Sequence, residues 1–125
     1  MSPRANNSAI NLQQKFARFS EPWRPKVIAA MNDYQFKLVR LVGEFVWHRH
    51  ADTDEVFIVI EGEMSLRFRD GEVPLQAGEL YVVPKGVEHQ PYAARECKVM
   101  LVEPKGVVNT GEAGGALTAD NDVWI

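Results

Sequence analysis

From about residue 26 the chain breaks into short apolar or alternating stretches, each closed by a turn signal. Stretches near 26–31, 34–42, 45–50, 55–61, 64–69, 72–75, 80–83, 88–93 and 96–103 have the length and period of strands. The breaks fall at Asn32-Asp33, Gly43, Asp52-Thr53-Asp54, Gly62, Asp70-Gly71, Ala77-Gly78 and Lys85-Gly86. Asp70-Gly71, between two strand-like runs, is the strongest hairpin signal. Ahead of the strands, Ile10, Leu12, Phe16 and Phe19 recur near helical spacing. They predict a short amphipathic helix over 9–19 with Ser8 as its N-cap, and Pro22 and Pro25 forbid its continuation. Residues 1–8 are polar and expected to fray. The whole reads as an all-β antiparallel sandwich or barrel with a short N-terminal helix.

Two strands are apolar on both faces. If Glu55 points inward, so do Phe57 and Val59, which leaves Val56, Ile58 and Ile60 outward. The run Val99-Met100-Leu101-Val102 has the same property. A strand apolar on both sides is normally covered on both sides, and one short helix covers little area, so a homodimer is expected. Three regions follow: an N-terminal segment over 1–25, a barrel domain over 26–104 and a tail over 105–125. The tail holds the glycine-rich GEAGGA and ends in the apolar Val123-Trp124-Ile125, which can dock on the body or stay disordered.

Composition narrows the function classes. With 125 residues and 46% hydrophobic content, the chain can bury a core without metal or disulfide staples. A net charge of −3 gives no footprint for nucleic acid. The longest unbroken apolar run, Val56 to Ile60, is too short to span a bilayer, and the N-terminus lacks a secretory apolar stretch, so a cytoplasmic protein is expected. Cys97 is alone, sits in the apolar run CKVMLV and reads as a packed small hydrophobe.

The chemistry concentrates in the histidines. His48 and His50 are two apart and so face the same way on a strand; Glu55 follows five residues later, and His89 comes just after Pro84-Lys85-Gly86. Imidazole and carboxylate together suit iron, manganese, nickel, cobalt, zinc or copper, and not calcium or magnesium. The sequence does not choose among these metals. With all three histidines in one candidate metal set, no Ser-His-Asp arrangement remains, and any catalysis would be metal-centred.

The segment GEFVWHRHADTDEVFIVIEG, residues 43–62, resembles the first motif of the cupin family, G-x5-H-x-H-x(3,4)-E-x6-G. GELYVVPKGVEHQPYA, residues 78–93, resembles the second, G-x5-P-x-G-x2-H-x3-N. Two positions depart: Gly43 stands one residue closer to His48 than in the motif, and the closing Asn is Ala93. Neither carries a ligand. The resemblance implies a double-stranded β-helix, or jelly-roll, barrel. It also implies metal ligation by His48, His50, Glu55 and His89, with positions on the ion left open for a small molecule.

Around such a site Phe57, Val59, Leu66 and Phe68 are candidate wall residues, while Trp47 is turned to the opposite face. Lys37 and Arg40 lie on opposite faces of one strand; at most one points inward, and the solvated face is the preferred place for Lys37. Two functions are compatible with these observations. One is a metal-dependent enzyme acting on a small oxygen-rich metabolite by dioxygenase, decarboxylase or isomerase chemistry. The other is a non-catalytic barrel that holds a metal or small ligand as a sensor or storage module.

Overall fold

A computed structural model describes residues 7–125. The expected fraying of residues 1–8 therefore falls mostly outside the described residues. The helix α1 spans Leu12–Phe16, shorter than predicted, and its N-cap is Asn11 rather than Ser8. The Asn11 side chain accepts from the Gln14 amide at 2.9 Å, which satisfies a donor at the open end of the helix.

Seven strands follow: β1 Lys26–Met31, β2 Tyr34–Glu44, β3 Glu55–Glu61, β4 Glu63–Phe68, β5 Gly71–Gln76, β6 Leu80–Val83 and β7 His89–Pro104. All pair antiparallel, in the order β1-β2-β7-β3-β6, with β4 joining β5 and β7. The expected β4–β5 hairpin forms, with Phe68 opposite Gly71, so its tip is Arg69-Asp70. Among the described residues no helix is long and apolar enough to cross a membrane.

The predicted strands 88–93 and 96–103 are one continuous strand, β7, and it organises the barrel. Its first part, from His89 to Tyr92, pairs with β4, while its later part, from Lys98 to Val102, pairs with β3. The side chains of His89, Pro91, Ala93, Cys97, Val99, Leu101 and Glu103 are buried and alternate with more exposed neighbours. They are the inner face expected of a strand with period two. The expected strand over 45–50 does not form. That stretch is irregular and touches β7 through the Phe45 amide, which donates to the Pro91 carbonyl at 2.9 Å, and through the bridge of His48 to His89.

The inner face holds the main core, including Val39, Leu41, Phe45, Phe57, Val59, Leu66 and Leu101. Phe57 and Val59 point inward as predicted. A second, smaller core lies on the outer face, where Phe16 and Phe19 cover Ile28 and Leu38, with Ile60, Met100 and Ile125 at its margin. Arg40 fastens this layer. Its guanidinium donates to the Phe16 carbonyl at 2.7 Å and the Phe19 carbonyl at 2.9 Å, just past the helix end.

The C-terminal residues dock. The Val27 amide donates to the Val123 carbonyl at 2.7 Å and the Ile125 amide to the Val27 carbonyl at 3.1 Å, so the end of the chain lies parallel to β1. The helix and tail leave part of the outer face open: Leu80 and Val82 on the edge strand β6 are 57% and 49% exposed.

Candidate metal centre

His48, His50, Glu55 and His89 come from three parts of the fold and meet inside the barrel. The two-residue period survives locally in the irregular 45–50 stretch: His48 and His50 are buried while Arg49 is exposed. The His48 and His89 backbones exchange amide–carbonyl bonds of 3.0 and 2.9 Å, which sets their rings side by side with centroids 4.3 Å apart. Glu55 opens β3. Each of the four side chains offers an atom such that all four atoms lie within 4.8 Å of one another. This cluster is the one the sequence pattern singles out, and it could hold a metal ion.

The tautomers suit that role. His48 Nδ1 lies 3.0 Å from the Val46 carbonyl, and His89 Nδ1 lies 2.9 Å from the Val87 carbonyl. A carbonyl only accepts, so each Nδ1 carries the proton and each Nε2 keeps a lone pair for a ligand. Glu55 Oε1 stands 3.3 Å from His50 Nε2 and 3.5 Å from His89 Nε2. Those three atoms are fully buried, yet none makes a hydrogen bond among the described residues. Buried polar atoms left without partners are costly, and three of them converging on one point fit a cation at that point.

The electrostatics agree. Burial lowers the His48 imidazole to about 4, and the neighbouring His89 reinforces this, so the ring is neutral and available. Burial alone would raise the Glu55 carboxyl, but its contacts with His50 and His89 outweigh this and hold it well below the usual carboxylate range. The site therefore combines a neutral His48 imidazole with an ionised Glu55 carboxylate, protonation states that ligation requires.

Around His48 and Glu55 lies a cavity of about 30 Å³, walled by Trp23, Val39, Leu41, Phe45, Phe57 and Leu101. Of the expected wall residues, Phe57 lines this cavity and its ring meets His89 edge-on at 5.9 Å. Phe68 faces His89 from β4, with ring centroids 6.4 Å apart, while Val59 and Leu66 belong to the core beside the cavity. Trp47 is turned away as predicted, and the Arg69 guanidinium stacks 3.7 Å from its ring. The Trp23 ring stacks on Phe45 at 4.5 Å; it lies in the segment between two prolines, where periodicity assigns no face.

The C-terminal tail also reaches the site. Asn109 lines the cavity and is held by the Trp23 and Leu117 carbonyls. Gly111 packs so closely on the Arg49 carbonyl that a Cβ there would collide with it, and the same Cβ would lie 3.4 Å from His50 Nδ1.

Lys37 is the clearest departure from expectation. It is buried and faces inward, 3.3 Å from Glu103, while Arg40 takes the outer face. Glu103 was not singled out in the sequence, although it shares the parity of Val99 and Leu101 on β7, as Gln35 shares that of Lys37 on β2. Burial drives the Glu103 carboxyl well above its ordinary range; Glu55 adds to this and Lys37 opposes it. Cys97 is buried, and burial pushes its thiol up to about 12, in keeping with a packing role.

Comparisons with known proteins agree with this architecture. Residues 39–103 match the family model of the cupin domain, Cupin_2. An uncharacterized protein of Bacillus subtilis, YdbB, is 39% identical over 108 residues, covering 84% of this chain and 89% of its own length. The crystal structure of a cupin-2 domain containing protein from Shewanella frigidimarina superposes with a TM-score of 0.76 at 64% identity, covering 77% of this chain and 94% of that one. A 3-hydroxyanthranilate 3,4-dioxygenase of Jannaschia is 35% identical over 72 residues; the match covers 50% of this chain and 40% of that enzyme.

Proposed function

We propose that this chain, which belongs to the cupin family, binds one divalent transition-metal ion through His48, His50, Glu55 and His89 and uses it on a small oxygen-rich metabolite. The observation that carries this reading is the convergence of His50 Nε2, Glu55 Oε1 and His89 Nε2, buried and without hydrogen-bond partners. When bound, iron, manganese, nickel or zinc would supply Lewis acidity toward a carbonyl or carboxylate, and the redox-active metals also activation of dioxygen. The chain's own contribution is orientation and exclusion of water. Val46 and Val87 fix two imidazoles through Nδ1, and Trp23, Phe45, Phe57 and Leu101 give the cavity an apolar wall.

The partial likeness to the dioxygenase of Jannaschia supports oxygen chemistry within the broader set of dioxygenation, decarboxylation and isomerisation. Because the match spans 40% of that enzyme, its substrate is not carried over. The test is a screen of the protein loaded separately with iron(II), manganese(II), nickel and zinc against hydroxy acids, keto acids, diketones and polyols, following oxygen consumption and product mass. Turnover that survives metal removal or the loss of His89 would overturn the reading.

The size of the cavity favours a second reading. The space beside His48 and Glu55, about 30 Å³, is small. In this conformation the barrel fits a module that holds a metal, and silence across every metal and ligand class would favour that role.

We also propose a homodimer. Leu80 and Val82 on the edge strand, beside Val56, Ile58 and Val102, form the apolar face that helix and tail leave open, and a second copy would cover it. Light scattering should give about twice the 14.1 kDa chain mass; a monomer at micromolar concentration would refute this.

A further inference from the structure

Beside the candidate metal centre, the barrel interior carries a buried lysine–glutamate pair that the function above does not use. Lys37 is 2% exposed and Glu103 is 1% exposed. The Lys37 ammonium lies 3.3 Å from Glu103 Oε1 and donates to the Val107 carbonyl at 3.4 Å. Strand register carries the pair to the metal centre. Val56 opposes Val102 across β3 and β7, which places Glu55 next to Glu103, and the two side chains meet. On the other side Gln35 opposes Glu103 across β2 and β7, and its amide donates to Asp122 at 2.8 Å.

Packing alone does not call for this pair. The same inner rows continue as Val39 and Leu41 on β2 and as Leu101 and Val99 on β7, all apolar and buried. Replacing a buried ion pair with apolar side chains of similar volume is often neutral or stabilising. The pair stands where the inner face meets a candidate ligand. Ligating carboxylates are held by outer partners whose loss weakens metal binding.

We propose that Lys37 and Glu103 are positioning residues for the metal centre: Lys37 fixes the Glu103 side chain, and Glu103 fixes Glu55 with Oε1 turned toward His50 and His89. This rests on the reading of the four-residue cluster as a metal site. Glu55 opens β3, where its backbone pairs on one side with Val83 of β6. The neighbour on β7 supplies the second constraint. Lys37 keeps that neighbour from swinging away, because its ammonium is itself held between Glu103 and the Val107 carbonyl.

The test uses the full chain and cobalt(II) alone as probe, with affinity and the visible absorption of the bound ion as readouts. The double variant Lys37→Met/Glu103→Leu removes both charges together, so no lone charge is buried. It should fold, bind cobalt(II) about 10–100-fold more weakly and give an altered spectrum. Glu103→Gln, whose amide can accept from Lys37 and donate to Glu55, should keep the affinity within about threefold and the wild-type spectrum. Should the double variant fail to fold, Glu103→Asp withdraws the carboxyl by one methylene and should still weaken binding about tenfold. A folded double variant, or Glu103→Asp, that binds cobalt(II) like wild type with an unchanged spectrum would overturn the proposal and leave the metal site standing. Wild-type protein that takes up no cobalt(II) would sink the metal site itself, and the positioning role with it.

Discussion

Two polar groups occupy the barrel interior, and they are built on opposite principles. Lys37 and Glu103 stand 3.3 Å apart, the ammonium facing one oxygen of a carboxyl that burial holds well above its ordinary range. His48, His50, Glu55 and His89 do not: the imidazoles of His48 and His89 use Nδ1 on backbone carbonyls, and the buried atoms facing the common centre lack partners. The first group joins a donor to an acceptor, although Glu103 Oε2 stays buried without a hydrogen-bond partner among the described residues. The second gathers unpartnered buried atoms at one point, where a cation would satisfy them. What separates them is convergence: both leave a buried atom without a hydrogen-bond partner, but only the second brings three such atoms to one point among the described residues.

The largest effect that would sharpen this contrast is on metal affinity. His50→Ala should weaken binding by at least about 100-fold while the fold survives, because the apolar core packs without any contribution from His50. Titration of the apo protein with metal, followed by circular dichroism, checks both halves. A variant that no longer folds would mean that the cluster is a structural requirement.

The ion pair should respond in the opposite way. Lys37→Met leaves Glu103 buried without its cation and should cost about 3–5 kcal/mol of stability, whereas adding Glu103→Leu should recover most of it. Denaturant titration measures both. If the single and double variants are equally stable, the two side chains are not coupled.

A smaller effect concerns pH in the metal-free protein. The His48 imidazole is lowered from its ordinary 6.5 to about 4 in the folded state, so between those values the unfolded chain binds more protons. Stability from this group is therefore fully present above about 6.5 and is lost as pH falls toward 4. Glu55, also depressed, adds a loss as pH falls below its ordinary 4.5. Thermal unfolding across this range should show the decline, and bound metal should resist it until protons displace the ion. A flat profile for the apo protein would contradict the buried, neutral state of His48.

Much of this was legible in the sequence, for a definite reason. Residues within one strand alternate faces, so His48 with His50, and Glu55 with Phe57 and Val59, could be assigned together. Turn residues then marked most strand ends, including those of β2, β3 and β6. What was not legible depends on partners distant in the chain. Lys37 seemed suited to solvent until β7 brought Glu103 beside it, a pairing that no local period encodes. The stretch 45–50 has strand-like alternation, yet its backbone meets that of the start of β7 through only the Phe45–Pro91 amide bond and the His48–His89 bridge. The apolar Val123-Trp124-Ile125 left docking and disorder equally open, and the backbone bonds to Val27 with the packing of Ile125 on the outer core decide for docking.

The central claim is that His48, His50, Glu55 and His89 together hold one metal ion. It is tested most directly by elemental analysis of the protein purified without added metal or chelator, alongside His89→Ala purified in the same way. The expected result is close to one transition-metal ion per wild-type chain and almost none in the variant. A wild-type protein free of metal that also fails to take it up on titration, or a variant that retains its full complement, would contradict the claim.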